Sequence, residues 1–477
     1  MKYIFESLNI ILPILIIIIT LIIIMILTII GIKKQKSYFL TIISILIIIL
    51  FLIFNINNKI NQLTTLLHIN KHTIIYTLTT LIGSLSTCIY ARQWINENNE
   101  NKNEFYIFIL ISSLGNILII NANNLLSLLV GIELISIPTT GLIGYSLKKK
   151  SSLKATIKYK ILASISLSFI IFGISLIYIT TGNITYNIIM QLVINKPLAI
   201  IGFAMIIIGL GFKLSIIPFH LWISDVYKGS SIPTINFLNT TNKIAYFYAT
   251  YNLILNTFII NIHSIKIILE IMTYLSIILG NLMALSQKNI KKLLAYTSIT
   301  HVGNLLLVII NSKNILSFET SIIYIINYLL NSTGILGIIN LLYNKIKDKK
   351  ENYPINYIKG IFWKNKIHAI MLTIIILSFA GLPTTIGFIS KFYIIMLTIT
   401  SNLWWLTILI IFSNIIGICY YLNIIKIIFC KKENNKNAIK INKNERLQNI
   451  LIYLSTICII FIGIYPQLII NIIKINI

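Results

Sequence analysis

The sequence predicts an all-α, polytopic membrane protein with about fourteen transmembrane helices. The chain of 477 residues is 57% hydrophobic and only 11% charged, which is far more apolar than a soluble protein of this length. Apolar segments of about 20 residues recur along it, and each is long enough to cross a bilayer. Lysine and arginine concentrate in alternate gaps between these segments, as they do in multi-pass proteins.

Seven of the predicted spans lie in the amino-terminal half, and we read the first as a retained helix and not a cleaved signal peptide. These spans are 8–32, 38–55, 73–92, 105–120, 124–146, 156–180 and 198–221. The other seven are 233–256, 267–287, 293–311, 319–343, 368–398, 403–427 and 448–472. Span 368–398 is too long for one straight crossing, so we expect Gly381 and Pro383 to divide it into two half-helices.

The charges between the spans predict the topology. Alternate gaps hold 27 of the 39 Lys and Arg residues, and the remaining gaps hold 7. Because positively charged loops stay on the inner side of a membrane, both termini are expected on the outer side. The formal net charge of +27 therefore reflects membrane topology, and nucleic acid is excluded as a partner.

Nothing in the sequence indicates a redox cofactor on this chain. The longest connectors, about 344–366 and 428–447, are too short to fold as nucleotide- or flavin-binding domains. The G-x-G at Gly209 and Gly211 lies inside a span, where it predicts close helix packing or a kink. The cysteines lack the spacing of metal ligands. They are Cys88, Cys419, Cys430 and Cys458.

Two lysines lie inside apolar segments in the middle of the chain. Lys213 is about fifteen residues into its predicted span, Lys243 is about ten residues into the next, and Pro218 and Pro233 separate them. A charged side chain at bilayer depth costs about 2.5–3.5 kcal/mol on insertion scales. The pattern indicates a conduit for ions or protons. The alternative is that these long side chains snorkel to the interface or serve as packing contacts.

Glu133 is the acidic residue predicted to lie deepest in the membrane, with Pro138 just beyond it. Burial favours the neutral form of a carboxyl or an amine, whereas close approach of the two favours the charged pair. Glu133 is therefore the natural partner of Lys213, and a purely structural ion pair is the alternative. Glu270 and Glu319 lie near the ends of their spans and are expected to be interfacial.

A third lysine, Lys391, follows the expected break in span 368–398, much as Lys213 accompanies the first interrupted helix. Two interrupted spans in corresponding positions favour an inverted repeat with a functional site near the bilayer midplane. Lys158, one turn into its span, and His301, inside the tenth span, are further candidates. An imidazole changes charge near neutral pH, but a core histidine and an interfacial lysine are the alternatives.

The segments that carry these residues resemble one protein family. They read NANNLLSLLVGIELISIP, LKATIKYKIL, GLGFKLSIIPFHLWISDVYKG, GNLMALSQKNIKKLLAYTSITH, SFAGLPTTIGFISKFY and IGIYPQ. They are similar to the antiporter-like, proton-pumping membrane subunits of NADH-quinone oxidoreductase. Within that family they look most like subunit N, the bacterial counterpart of subunit 2 of mitochondrial complex I. The resemblance implies an antiporter-like fold with two inverted five-helix repeats and discontinuous helices.

The resemblance also implies a role for each candidate residue. Glu133 would control the charge on Lys213, Lys213 would store a proton, and Lys243 would be the central lysine of the relay. Lys391 would exchange protons with the outer side, and Lys158 would be the lysine of the sixth helix.

Three departures from the family pattern leave these charged positions intact. Asn304 stands where the family usually has tyrosine, Gly229-Ser230-Ser231 replaces a Gly-Ala-Pro segment, and Lys160 has no counterpart.

By the same resemblance, the chain divides into four regions. Residues 1–104 would form three amino-terminal helices, 105–256 the first repeat, and 257–427 the second repeat. Residues 428–477 would form a connector and the last helix.

The resemblance further implies that the chain works in a larger complex. That complex would use FMN, iron–sulfur clusters, NADH and quinone, none of them bound by this chain. The partners would be the lipid bilayer and other complex I membrane subunits, including neighbouring antiporter-like ones. The location would be a bacterial inner membrane or, alternatively, a mitochondrial inner membrane. Two other functions stay open, namely a subunit of a multi-subunit cation/proton antiporter and a passive scaffold.

Overall fold

The computed structural model describes residues 2–30, 35–56, 66–98, 102–146, 149–192, 196–343, 353–431, 446–467 and 470–471. These residues are almost entirely helical, as the sequence predicts. Twelve helices among them are long and apolar enough to cross a membrane, and two shorter apolar helices accompany them. The chain is therefore a multi-pass membrane protein. Much of the two predicted lysine-rich connectors lies outside the described residues.

The helices of the described residues are numbered in chain order. The first eight are α1 (Lys2–Ile29), α2 (Gln35–Phe54), α3 (Lys71–Asn98), α4 (Lys102–Ile120), α5 (Leu125–Ile143), α6 (Lys150–Thr181), α7 (Tyr186–Leu192) and α8 (Pro197–Leu214). The next six are α9 (Ile223–Gly229), α10 (Ile232–Phe237), α11 (Lys243–Thr257), α12 (His263–Leu285), α13 (Ile290–Ile310) and α14 (Ile315–Tyr343). The last five are α15 (Ile361–Lys364), α16 (Lys366–Ala380), α17 (Ile386–Thr400), α18 (Trp404–Phe429) and α19 (Arg446–Ile464).

The chain forms two compact units. The first consists of Met1–Leu214 and Asn236–Lys266, and the second of Ser215–Ile235 and Ile267–Ile477. In the first unit α6 packs along α8, and α4 packs along α5. In the second unit α14 contacts α16, α17 and α19.

The close packing of α6 on α8 depends on small residues. A Cβ atom at Gly209 would lie 2.7 Å from the carbonyl oxygen of Ser166, which is closer than real Cβ contacts allow. A Cβ atom at Gly173 would similarly lie 2.5 Å from the carbonyl oxygen of Gly202. Small residues let the backbones of membrane helices approach closely, so the prediction of close packing is confirmed at Gly209.

The seventh predicted span, 198–221, ends earlier than expected. Helix α8 stops at Leu214, and Ser215 adopts a left-handed conformation with a φ of 60°. Proline cannot donate to a helical ladder, and Pro218 follows in a cis peptide bond with Ile217. As a result Lys213 lies in the last turn of a helix and not in the middle of one.

The eighth predicted span, 233–256, is also interrupted. Helix α10 passes into a π-helical turn, Leu238–Asn242, before α11 begins at Lys243. The side-chain hydroxyl of Thr240 donates 2.7 Å to the carbonyl oxygen of Asn236, and that of Thr241 donates to Phe237. Hydroxyls bonded to carbonyls four residues back compete with the backbone ladder, and π-bulges of this kind are frequent at functional sites.

The break in the long span 368–398 is confirmed. Helix α16 ends at Ala380, Gly381 takes a φ of 81°, and α17 begins at Ile386. Glycine adopts this left-handed conformation without a steric penalty, so the helix ends where the sequence predicts.

Candidate functional site

Glu133 and Lys213 form an electrostatic pair inside the first unit. The Lys213 side chain is 3% exposed, and among the described residues its ammonium has no hydrogen-bond partner. Glu133 is half-buried on α5, and its charge acts on Lys213 from there. Ser136 donates to the Glu133 carboxylate at 3.4 Å. The charge of Glu133 therefore reaches Lys213, as expected from the sequence, and an opposite charge favours the cation where burial alone favours the neutral amine.

The position of Lys213 at the end of α8 adds a second stabilising field. Lys213 is in the last helical turn, where carbonyl groups have no partner within the helix. The negative end of the helix dipole favours a cation there by about 0.3–1 kcal/mol, and more in partly buried geometries. The break after Leu214 thus gives Lys213 a position at a helix end that it would not have in an uninterrupted helix.

Lys243 lies at the junction between the π-helical turn and α11. Its side chain is 4% exposed. The polar residues Asn239, Thr240, Thr241 and Asn242, all buried, precede it directly. The amide of Asn116, on α4, donates to the side-chain oxygen of Asn242 at 3.4 Å. A buried lysine therefore directly follows a helical turn rich in buried hydroxyls and amides.

Several buried polar atoms near this lysine need partners. Within the described part of the first unit, Asn116 Oδ1, Asn242 Nδ2 and the Tyr246 hydroxyl form no hydrogen bond. The negative charge of Glu133 also acts on the Tyr246 hydroxyl. Buried polar groups of this kind are usually satisfied by internal water, which binds where several of them converge. The arrangement can hold water beside both the Glu133 carboxylate and Lys243.

Lys391 occupies a corresponding position in the second unit. Its ammonium donates a 2.9 Å hydrogen bond to the carbonyl oxygen of Ala380, the last residue of α16. A Cβ atom at Gly381 would lie 2.6 Å from Cδ of Lys391. Lys391, which is half-buried, therefore donates to the carbonyl end of the preceding half-helix, whereas Lys213 lies in the last turn of its own half-helix.

His301 is a hydrogen-bonded core residue of the second unit. Its side chain is 5% exposed, and Nδ1 lies 2.7 Å from the hydroxyl of Tyr324. Asn304 donates to the same hydroxyl at 3.0 Å. The asparagine that departs from the family pattern thus completes a three-residue polar cluster. The cluster is compatible with a proton relay and with a purely structural role.

Lys158 is half-buried on α6, and its neighbour Lys160 is exposed. Tyr159 between them points into the first unit, where its hydroxyl lies 3.3 Å from Thr139. The six predicted residues fall into two groups. Glu133, Lys158, Lys213 and Lys243 are in the first unit, and His301 and Lys391 are in the second.

The structure adds residues that sequence reasoning missed. Asn116 and Tyr246 were absent from the prediction, although a lone amide in the apolar run FILISSLGNILII is a signal that could have revealed Asn116. Lys291 falls in the gap between the predicted spans 267–287 and 293–311, yet it is 2% exposed and donates 2.7 Å to the carbonyl oxygen of Ser230. Glu319 was expected at the interface, and it is 7% exposed.

Residues 122–417 match the family described as "NADH:quinone oxidoreductase/Mrp antiporter, TM". This match covers more than half of the chain. The protein belongs to this family of membrane subunits. The elements that carry Glu133, Lys158, Lys213, Lys243, His301 and Lys391 all lie within the matched region.

Three solved structures share the fold of this family member. A chain of respiratory complex I from Thermus thermophilus is 23% identical, with a TM-score of 0.82 over 96% of this chain and 98% of that one. A chain of an archaeal membrane-bound sulfane sulfur reductase is 22% identical, with a TM-score of 0.84 over 98% of this chain and 96% of that one. A chain of the Mrp complex from Dietzia sp. DQ12-45-1b is 14% identical, with a TM-score of 0.83 over 98% and 96%.

At these identities the likeness establishes the fold. All three similar chains come from multi-subunit membrane complexes. The family match is what assigns this chain to the antiporter-like membrane proteins.

Proposed function

We propose that this chain is a proton-translocating membrane subunit of a bacterial NADH-quinone oxidoreductase, most similar to subunit N. The observation that carries the proposal is the action of the half-buried Glu133 carboxylate on the buried Lys213, whose ammonium lies at a helix break and has no hydrogen-bond partner among the described residues. The chain itself would hold no redox centre. FMN, iron–sulfur clusters, NADH and quinone would bind to other subunits of the complex, in the bacterial inner membrane.

The proposed mechanism uses the distance between the two charges as its control. While Glu133 is near, attraction between opposite charges keeps the proton on Lys213. When the complex moves Glu133 away, burial favours the neutral amine, and Lys213 releases its proton. The proton then passes to Lys243 and on to Lys391, with Asn116, Asn242 and Tyr246 holding the water that carries it from Lys213. Redox energy would enter only as the displacement of the carboxylate.

A cation/proton antiporter subunit is the second candidate, because the matched family includes Mrp antiporters and one similar chain belongs to an Mrp complex. The same buried lysines would then exchange protons for a metal cation without any redox partner. The two candidates differ in what drives transport, so they can be separated directly.

The deciding experiment is affinity purification of the tagged chain from its native membrane, followed by transport assays. Copurification of NADH-oxidising subunits, with NADH-driven proton movement in reconstituted vesicles, supports the first candidate. Copurification without them, with sodium-driven proton movement, supports the second. Lys213→Ala should abolish transport by this subunit in either case. Lys160→Ala, which changes an exposed lysine, is the matched control.

A further inference from the structure

A buried carboxylate in the second unit has no place in the mechanism described so far. Glu319 lies early in α14 and is 7% exposed. The negative charge of its carboxylate acts on Tyr393 of α17. An ionisable side chain inside a membrane span is costly, and such residues commonly mark the path of an ion or a proton.

Three pairs of residues locate Glu319 along the contact between α14 and α17. Asn314, just before α14, donates 2.9 Å to the Thr400 hydroxyl at the end of α17. Further along α14, Asn327 donates 2.9 Å to Ser390, near the start of α17. The pair of Glu319 and Tyr393 falls between these two contacts, in antiparallel order. Glu319 therefore faces α17 between the helix break and the end of the span.

The contact between Asn327 and Ser390 lies next to Lys391. Ser390 directly precedes Lys391, and Ser378 of α16 donates to the same Asn327 side chain at 3.4 Å. The polar groups of Ser378, Asn327 and Ser390 thus lie at the helix break. The Lys391 ammonium donates to the carbonyl oxygen of Ala380 at the same break. Glu319 precedes Asn327 by eight residues, which corresponds to about 12 Å along a helix. Water and the Tyr393 hydroxyl can bridge that distance.

Glu319 also lies towards the expected outer side. Helix α14 begins beyond Lys313, in one of the lysine-poor gaps, and α17 ends at Thr400, in another. A proton moving from Lys391 towards this side would meet the Glu319 carboxylate before it reaches bulk water.

We propose that Glu319 is the proton acceptor between Lys391 and the outer side of the membrane. This inference rests on the proposed function and adds the release step to it. The Lys391 ammonium loses a proton and becomes a neutral amine, and the Glu319 carboxylate gains that proton and becomes a neutral acid. The acid then gives the proton to water on the outer side and becomes a carboxylate again. No oxidant, reductant or metal takes part in the step.

The test uses the complete complex, reconstituted in vesicles, with Glu319→Gln, Glu319→Asp and the control Glu270→Gln. Glu270 lies about two turns into α12 and is only half-buried. Glu319→Gln should assemble and oxidise NADH but move fewer protons per electron. Glu319→Asp should restore the ratio, and Glu270→Gln should leave it unchanged.

Infrared difference spectra taken during turnover provide a readout that a structural role would not change. Transient protonation of Glu319 predicts a carboxylic-acid carbonyl band that disappears in Glu319→Gln and shifts in Glu319→Asp. If Glu319→Gln fails to assemble, the Glu319→Asp spectrum still decides, because an unshifted carbonyl region overturns the proposal. A normal proton-to-electron ratio in assembled Glu319→Gln overturns it as well.

Lys213→Ala separates failure of this inference from failure of the proposed function. If Lys213→Ala abolishes proton movement while Glu319→Gln does not, only the release step is wrong. If neither variant changes proton movement, the proposed function itself is wrong.

Discussion

The Lys391 ammonium donates a 2.9 Å hydrogen bond to the carbonyl oxygen of Ala380, across the break between α16 and α17. The carbonyl end of α16 thus provides the hydrogen-bond acceptor for the Lys391 ammonium on α17. Lys213 lies in the last turn of α8, but among the described residues its ammonium donates to no carbonyl. A half-helix that ends inside the membrane exposes carbonyl groups, and Lys391 satisfies one of them while keeping its own charge.

Gly381→Ala should destabilise the break in the second unit. The φ of 81° is strained for any residue with a Cβ atom, by about 1–2 kcal/mol, and the new methyl would also contact Cδ of Lys391. We expect a lower melting temperature of the complex and weaker proton movement. Gly417→Ala is the control, since the nearest atom to its added Cβ is 3.7 Å away. Equal stability of the two variants would contradict this account of the break.

Asn116→Leu should impair proton transfer near Lys243 while preserving the fold. The substitution removes the donor to Asn242 and one of the polar groups that hold water, at similar side-chain volume. Loss of one hydrogen bond costs about 1 kcal/mol, so we expect roughly fivefold slower proton movement. Ser113→Ala on the same helix removes only a hydroxyl bonded to the carbonyl of Leu110 and should be near wild type. Pumping rates in vesicles make the comparison.

Lys291→Met should reduce stability more than Lys292→Met does. The Lys291 ammonium donates to Ser230 and lies 3.8 Å from the centroid of the Tyr353 ring, whereas Lys292 is partly exposed. Burial raises the pKa of Tyr353, so its ring stays a neutral phenol at physiological pH. A hydrogen bond from a charged donor contributes about 1.5–3 kcal/mol. Thermal denaturation of the purified complex measures the difference, and similar melting curves would argue against this role of Lys291.

Tyr324→Phe should lower stability because it removes the hydroxyl shared by His301 and Asn304. Leaving two buried polar side chains without that partner costs about 1–3 kcal/mol. Tyr274→Phe, at a position that is 52% exposed, should have little effect. Proton movement by the assembled Tyr324→Phe complex shows whether His301 also relays protons, since a relay through the hydroxyl would be slowed, whereas a purely structural cluster would change stability alone.

Much of this organisation is readable from the sequence, for identifiable reasons. The break before Lys391 was predictable because Gly381 and Pro383 are local signals that end helices wherever they occur. The membrane spans were predictable because their length and apolar character depend on the bilayer and not on neighbouring helices. The interaction between Glu133 and Lys213 was predictable because ionisable side chains inside membrane spans usually pair with one another.

Other features depend on contacts between distant segments and have no local signature. Ser215 ends α8 through a left-handed conformation that serine rarely adopts, so the sequence alone favoured a longer helix. Lys291 reads as a loop lysine because its acceptor, Ser230, and its ring partner, Tyr353, are far away in the chain. The burial of Glu319 likewise follows from the packing of α14 against α17. The position of Glu319 near the end of its predicted span does not reveal this packing.

The central claim is that the charge of Glu133 controls the proton on Lys213. Its most direct test is the proton-to-electron ratio of the reconstituted complex carrying Glu133→Gln, with Lys160→Ala as the control. We predict that Glu133→Gln assembles and transfers electrons but loses the proton movement that depends on Lys213, so that adding Lys213→Ala causes no further loss. An unchanged ratio in Glu133→Gln, or an additional loss in the double variant, would contradict the claim.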